Sequence, residues 1–223
     1  MKDWQKHAID CFKKEDFYEF PDFMKEAHTD FQRYASYNEF VKDTLERCGC
    51  IAPATLSMLF KPKIVVEFGV KLGWTSLLLC RFNPKARIHG VDISGRMENG
   101  IFPYLPTGYA AFMNNCKNYS LHIMNSWDFE MTGQVDLCFI DADHFLPAVE
   151  KDTWRAWENR NRKGEWCIAW DDYHPNNPDV YNTVNDFVKE VNYPLQKIAS
   201  WYWIGSKTIS EEQLSNIKLE GGK

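Results

Sequence analysis

The sequence predicts an α/β fold in which a mostly parallel β-sheet is flanked by helices and preceded by an N-terminal helical cap. Between residues 64 and 205, short apolar runs alternate with segments of helical periodicity, which is typical of a parallel sheet. The run 135–141 is almost continuously apolar, as expected of a strand covered on both faces. Four predicted strands end in an acidic residue, and ligands of open parallel sheets bind beyond such ends.

The predicted elements follow one another in chain order. Residues 1–62 are expected to be mostly helical, because aromatic and aliphatic residues recur there at helical intervals and the last short helix, 54–60, stops before Pro62. Residues 95–118 are expected to form a substrate loop and one helix. This gives a helical cap (1–62), a core (63–207) and a C-terminal tail (208–223). The predicted strands are 64–69, 87–92, 121–124, 135–141, 166–171, 195–199 and 201–205, and the helices of the core are 75–82, 146–161 and 180–191.

Composition narrows the class of protein. A chain of 223 residues suits one domain with a small appendage. With 26 basic and 31 acidic residues the formal charge is −5, which disfavours a nucleic-acid partner because such binding rests on Lys and Arg. No apolar run approaches the ~20 residues that span a bilayer, the N-terminal residues lack the apolar core of a signal peptide, and the seven Cys show no zinc or disulfide framework. We therefore expect a cytoplasmic protein with no membrane partner, and its aromatic residues are compatible with a homo-oligomer.

A glycine-containing loop follows the first predicted strand. Gly69 and Gly73 allow the backbone to turn tightly and approach a ligand, and Thr75 or Ser76 is expected to cap the next helix. The loop is neither a P-loop nor G-x-G-x-x-G, so by itself it fits an ordinary turn as well as a cofactor loop. Asp92 follows about twenty residues later, the spacing at which an acid meets ribose hydroxyls. A helix cap or turn role for Asp92 is the alternative.

Longer motifs resemble a known family. E-F-G-V-K-L-G-W-T-S at 67–76 and G-V-D-I-S at 90–94 resemble the class I S-adenosylmethionine-dependent methyltransferases, whose Rossmann-like fold has a seven-stranded sheet. F-I-D-A-D-H at 139–144, W-D-D-Y-H-P at 170–175 and Y-N-T-V-N-D-F at 181–187 resemble the metal-dependent small-molecule O-methyltransferases. The macrocin and novobiocin sugar type is the most similar, and the catechol and caffeoyl-coenzyme A types are more distant. Residues 93–98 depart from the sugar enzymes, so sugar specificity is not inherited.

The resemblance implies a metal site, and residues of that site or next to it in the sequence are candidates for catalysis. It places Mg²⁺, or another divalent cation, on Asp141, Asp171 and Asp172, and oxygen ligands suit that ion. The cation would lower the pKa of an acceptor hydroxyl. Asp141, His144 and His174 are the candidate catalytic residues. Either histidine is a possible general base or a ligand to a softer metal, and a surface or outer-sphere role is the alternative for each.

The resemblance also assigns the S-adenosylmethionine site. Glu67, Gly69, Gly73 and Thr75 would surround its methionine end, Asp92 its ribose, Ser126 and Trp127 its adenine, and Asp141 and Ala142 its floor. Tyr173, Trp127, Tyr104, Tyr109 and Phe102 are candidate walls of the acceptor site, with core packing as the alternative. The predicted function is Mg²⁺-dependent O-methylation of a small hydroxylated acceptor, that is, a sugar, diol or phenol.

Three other functions compete with this one. The first is a metal-independent methyltransferase that uses His144 or His174 as base. The second is a cofactor-binding domain without catalysis, against which the intact set of acids argues. The third, a nicotinamide oxidoreductase, predicts a G-x-G-x-x-G loop that the sequence lacks. The N-terminal helices are expected to form a lid or a dimer surface.

Overall fold

A single twisted sheet organises the part of the chain that the structure describes. The computed structural model describes residues 50–95, 106–113, 115–131, 134–198, 201–210 and 213. Apart from its last helix, α1 (Ile51–Phe60), the predicted helical cap lies outside these residues, and so do Phe102 and Tyr104. None of the helices in the described ranges is long and apolar enough to cross a bilayer.

The sheet has seven strands, in the order β3-β2-β1-β4-β5-β7-β6. The first five are parallel, whereas β7 pairs antiparallel with both β5 and β6. The chain order reverses between β1 and β4, and at such a point the loops on either side diverge and leave a crevice. This topology confirms the predicted Rossmann-like fold. The strands are β1 (Ile64–Phe68), β2 (Arg87–Asp92), β3 (Tyr119–Ile123), β4 (Leu137–Ile140), β5 (Cys167–Trp170), β6 (Gln196–Ile198) and β7 (Trp201–Gly205).

Helices cover both faces of the sheet. Besides α1, they are α2 (Trp74–Phe82), α3 (Tyr109–Met113), a short 3₁₀ helix (Ser126–Asp128), α4 (Ala148–Asn159) and α5 (Pro178–Val191). Leu137 and Phe139 of β4 pack into the layer that contains α1 and α2. Cys138 and Ile140 pack into the layer that contains α4 and α5. This alternation explains why the strand is apolar at every position.

Most element boundaries differ from the prediction by one to three residues. At the start of α2, the way in which the helix is capped also differs. Gly73 is the N-cap of α2, with φ 78°, and no side chain caps the helix. The Ser76 hydroxyl donates instead to a carboxylate oxygen of Glu67. The prediction that Thr75 or Ser76 caps this helix is therefore wrong, because a glycine in the left-handed region begins it without a side-chain cap.

A buried carboxylate fixes the opposite end of the sheet. Asp136, 6% exposed, precedes β4. Its Oδ2 accepts hydrogen bonds from the backbone N–H groups of Lys63 (2.7 Å) and Ile64 (2.9 Å). Its Oδ1 accepts from Nδ2 of Asn161 at 2.7 Å. The start of β1 is thus tied to β4 and to the segment after α4, which sets the register of the central strands.

Candidate cofactor and metal site

The glycine loop between β1 and α2 is held from two sides. Oδ2 of Asp92, at the end of β2, accepts hydrogen bonds from the backbone N–H groups of Val70 (2.9 Å) and Lys71 (3.0 Å). On the other side, the Lys71 carbonyl accepts from Gly108 N and the Leu72 carbonyl from Ala110 N, both at 2.8 Å. The loop conformation is therefore fixed by its own neighbours.

The two glycines of this loop lie where no side chain fits. Gly69 has φ 82°, and a Cβ on it would lie 1.9 Å from the carbonyl oxygen of Asp141. A Cβ on Gly73 would lie 2.8 Å from the Cα of Gly108. Both glycines are needed for close approach of the backbone to neighbouring loops, which brings the ends of β1 and β4 together. The approach of this loop to a ligand stays a prediction.

Asp92, predicted to meet a ribose, has a structural role here. Besides the two loop amides on Oδ2, its Oδ1 accepts from the backbone N–H of Ser94 at 3.0 Å. A carboxylate has four lone pairs and these hydrogen bonds use three of them, so Oδ1 keeps acceptor capacity for one hydroxyl group. The turn interpretation and the ribose interpretation of the sequence are therefore compatible.

Glu67 is a buried acid beneath the loop. Its side chain is 3% exposed and accepts a hydrogen bond from the Ser76 hydroxyl. The pKa of Glu67 is raised to about 8, chiefly by burial and also by the charges of Asp141 and Asp92, while the Ser76 hydrogen bond opposes the rise. Glu67 therefore binds its proton at neutral pH and lies under the loop as a neutral acid.

The predicted adenine residues lie after β3, on the 3₁₀ helix. The Ser126 hydroxyl donates to Oδ1 of Asp152 at 2.6 Å. The Lys151 ammonium lies 3.7 Å from the centroid of the half-buried Trp127 ring. Asp152 is 1% exposed, and burial raises its pKa to about 6 against the Ser126 hydrogen bond. This segment is thus fastened to α4.

Three potential metal ligands converge at the ends of β4 and β5. One ligand atom from each of Asp141, His144 and Asp172 lies within 4.8 Å of the other two. His144 Nε2 is 3.2 Å from Asp172 Oδ2 and 3.9 Å from Asp141 Oδ1. Their side chains are 26% to 45% exposed, although Nε2 of His144 itself is buried. Asp172 has φ 54°, an uncommon conformation for a residue other than glycine.

Electrostatics link this cluster to its neighbours. Interaction with Asp141, then with Asp172, raises the pKa of His144, while burial and Lys71 oppose the rise. Asp171 is not one of the three converging residues. Burial, then the charges of Asp141 and Asp172, raise the pKa of Asp171 to about 6, and its side chain is half-buried. The exposed Lys71 side chain is the nearby positive charge that acts on both Asp171 and His144.

Other predicted residues lie around the cluster with separate contacts. His174 is exposed, and its Nδ1 accepts from the backbone N–H of Asn176 at 3.1 Å. Thr75 is half-buried in the first turn of α2, and Ala142 is half-buried directly after Asp141. Tyr173 packs against other rings and its hydroxyl donates to Asn185 at 2.9 Å. Tyr173 therefore belongs to the packing between β7 and α5.

The sequence interpretation missed Asp152. The helical pattern of α4 could have indicated that this acid is buried. The buried face of α4 is formed by Val149, Asp152, Thr153 and Ala156, spaced as one helical stripe. An acid on an otherwise buried stripe needs a polar partner, and Ser126 supplies it.

Comparisons with known proteins bear on the fold and on the type of domain. Residues 66–173 match a family model described as a methyltransferase domain. No curated protein is significantly similar to the chain.

Residues 66–173 form an S-adenosylmethionine-dependent methyltransferase domain.

Solved structures share the fold of this methyltransferase at low sequence identity. A Staphylococcus aureus protein provisionally assigned as a caffeoyl-CoA O-methyltransferase is 16% identical, with a TM-score of 0.55 over 83% of this chain and 99% of its own. The O-methyltransferase NovP is 12% identical, with a TM-score of 0.53 over 68% and 76%. The Podospora anserina methyltransferase PaMTH1, solved with bound S-adenosylhomocysteine, is 13% identical, with a TM-score of 0.51 over 92% and 96%.

Proposed function

We propose that this methyltransferase transfers the methyl group of S-adenosylmethionine to an oxygen of a small hydroxylated acceptor, assisted by a divalent cation. The observation that carries the proposal is the convergence of Asp141, His144 and Asp172 next to the braced glycine loop. Two of the three similar structures named above are described as O-methyltransferases, which supports oxygen as the acceptor atom.

The donor set fits a divalent cation. Asp141 and Asp172 offer carboxylate oxygens, which Mg²⁺ prefers, and their exposure leaves room for the waters that this ion keeps. Asp171 would add negative charge close to these ligands. If His144 also binds the ion, an imidazole nitrogen favours a softer metal such as Mn²⁺ or Zn²⁺. When bound, the cation would act as a Lewis acid that lowers the pKa of the acceptor hydroxyl.

The residues of the chain supply the remaining chemistry. S-adenosylmethionine, when bound, would supply the methyl group as an electrophilic sulfonium to the acceptor oxygen, with S-adenosylhomocysteine as the leaving group. Where His144 does not bind the cation, its imidazole takes the hydroxyl proton and passes it to water, and the neighbouring carboxylates stabilise the imidazolium that results. The rigid glycine loop and Asp92 orient the cofactor, so that the two reacting atoms meet in line.

Metal binding is tested with the Asp172→Asn variant. Asn tolerates the left-handed backbone of position 172, so the variant should fold while losing one anionic ligand. We expect weaker Mn²⁺ binding by calorimetry or paramagnetic resonance, with unchanged affinity for S-adenosylhomocysteine. Asp186→Asn is the matched control, since Asp186 is an exposed acid on α5 whose partner is Lys189. Equal metal affinity of both variants and the wild type would refute the metal site.

The base is tested by comparing two histidines. His144→Gln should lower turnover on catechol-, diol- and sugar-type acceptors by roughly 10²–10⁴-fold, the usual contribution of a general base. His174→Gln should have little effect, because the structure places His174 in a local turn with Asn176. The reverse ranking would assign the base to His174.

A metal-independent mechanism is the second candidate, and the Lys71 charge favours it. Lys71 already offsets part of the negative charge around Asp171, which a cation would otherwise do. Turnover that persists in chelator and in Asp172→Asn, but is lost in His144→Gln, would select this mechanism.

A further inference from the structure

The hydroxyl of Ser126 has one proton, and the structure shows which group receives it. Oγ of Ser126 donates to Oδ1 of Asp152 at 2.6 Å. A second, longer contact of 3.5 Å is to Oδ1 of Asn125, which accepts from the Trp127 N–H at 2.9 Å and is therefore an acceptor as well. A serine hydroxyl has one donor and two acceptor sites. Towards a ligand, Ser126 thus offers lone pairs and not a proton.

The buried position of Asp152 fixes this direction of donation. Asp152 is 1% exposed and lies on the inner stripe of α4. Its pKa is raised to about 6, chiefly by burial and also by the charge of Asp143, while the Ser126 hydrogen bond and the charge of Arg155 oppose the rise. The thiol of Cys138 on β4 is the neighbouring titratable group, and burial raises its pKa. At neutral pH Asp152 is therefore a carboxylate, which has no proton to donate.

Two further contacts fasten the same segment to α4. The Lys151 ammonium lies over the Trp127 ring, and the Arg155 guanidinium donates to the Phe129 carbonyl. Ser126 itself is only half-buried, so its oxygen is held in place and part of the residue stays open to a ligand.

The location of Ser126 brings it close to the base of a cofactor whose ribose is bound by Asp92. The Asp92 carbonyl accepts from the Met124 N–H at 2.9 Å, two residues before Ser126. Neighbouring strands are about 4.8 Å apart, so a base attached to a ribose at the end of β2 reaches the segment after β3. The base of S-adenosylmethionine is adenine, whose amino group is a hydrogen-bond donor. An oxygen that offers only lone pairs fits this group.

We propose that Asp152 is a positioning residue that holds the Ser126 hydroxyl as an acceptor, so that the cofactor site selects a 6-amino purine over a 6-oxo purine. The amino group of adenine donates to Oγ of Ser126. The 6-oxo group of a hypoxanthine base would instead face the lone pairs of Ser126, and neither oxygen would have a donor. The proposal rests on the predicted position of the adenine, and it does not depend on the metal or on the methylated atom.

Calorimetry with two ligands tests the selection. S-adenosylhomocysteine is compared with S-inosylhomocysteine, which carries a 6-oxo group in place of the amino group. At about pH 8, where Asp152 is ionised, the 6-oxo ligand should bind the full-length wild type roughly 10- to 100-fold more weakly, because a hydrogen bond is lost and two acceptors are left facing each other. Equal affinities would overturn the proposal. Neither ligand carries a transferable methyl group, so this result is separate from that of the acceptor and metal experiments.

The Asp152→Asn variant tests the role of Asp152. Asparagine has nearly the same shape, but its Nδ2 can donate to Oγ of Ser126, which frees the hydroxyl proton for a 6-oxo group. The variant should bind S-inosylhomocysteine about tenfold more tightly than the wild type does, with little change for S-adenosylhomocysteine. A merely structural role would not strengthen binding. Glu158→Gln, which alters an exposed acid of the same helix, should behave as the wild type. Equal weakening of both ligands, or an unchanged ratio of affinities, would refute the role of Asp152.

The pH dependence of the ratio is a second measurement and needs no variant. Protonated Asp152 can donate to Ser126, so the preference of the wild type for the amino ligand should decline as the pH falls below about 6. His89 and His122 contact Phe129 and also titrate, and Asp152→Asn retains both, so its ratio should not change with pH. If this variant does not fold, the wild-type profile decides. A wild-type ratio that is constant between about pH 5 and 8 would contradict the proposal.

Discussion

Replacing Gly69 with alanine tests whether the close approach of β1 and β4 shapes the cofactor site. The left-handed backbone of Gly69 costs an alanine about 1–2 kcal/mol. The new Cβ would lie 1.9 Å from the Asp141 carbonyl oxygen, whereas ordinary contact begins at 3.4 Å, so the two strand ends must separate by about 1.5 Å. Such overpacking adds about 1–3 kcal/mol. The total loss is therefore about 2–5 kcal/mol.

Thermal melting and calorimetry measure both consequences of Gly69→Ala. A loss of this size lowers Tm by roughly 5–15 °C in a chain of this length. The same displacement moves Asp141, so affinity for S-adenosylhomocysteine should fall as well. Gly95→Ala is the matched control, because among the described residues a Cβ at Gly95 meets only Ile123 side-chain atoms, at 3.8 and 3.9 Å. If Gly69→Ala melts and binds as Gly95→Ala does, the reasoning from this contact is wrong.

Three further predictions concern buried acids. Because the folded pKa of Glu67 is raised to about 8, Glu67 destabilises the fold progressively between about pH 4.5 and 8, by up to about 1.4 kcal/mol per pH unit. Urea unfolding of Glu67→Gln should lack this slope, and an unchanged slope would contradict the assignment. Ser126→Ala removes the hydroxyl bonded to ionised Asp152 and should cost about 1–3 kcal/mol, more at pH 8 than at pH 5. Asp136→Ala should cost at least about 3 kcal/mol by urea unfolding, because three donors lose their acceptor, and Asp143→Ala, an exposed acid, is its control.

The fold was predictable from the sequence because its signals are local. Strands β2 and β7 were predicted at their observed bounds, since a short apolar or β-branched run followed by a turn residue needs no knowledge of distant neighbours. The start of α2 was not predictable in this way. Whether Ser76 caps its own helix or bonds Glu67 depends on how deeply that acid is buried, which is a property of the folded sheet.

The sequence predicted which strand ends contribute residues to the site, but it predicted less well how their side chains are arranged. Parallel strands deliver Asp92, Asp141 and Asp171 to one edge, which their positions in the sequence already indicated. His144 and Asp172 converge on Asp141, whereas Asp171 does not, and this depends on which way each loop turns after its strand. Adjacent residues such as Asp171 and Asp172 differ there in exposure and direction, and sequence spacing carries no information about either.

The hydrogen bonds that Asp92 and the Gly108 segment make to the glycine loop bear on the entropy of cofactor binding. Fixing a backbone residue costs roughly 1–2 kcal/mol in conformational entropy. Val70, Lys71 and Leu72 are already fixed before any ligand arrives. S-adenosylmethionine therefore meets a preorganised surface, and little of its interaction energy is consumed in ordering the loop. In the free enzyme, the amides of this loop should accordingly show slow hydrogen exchange.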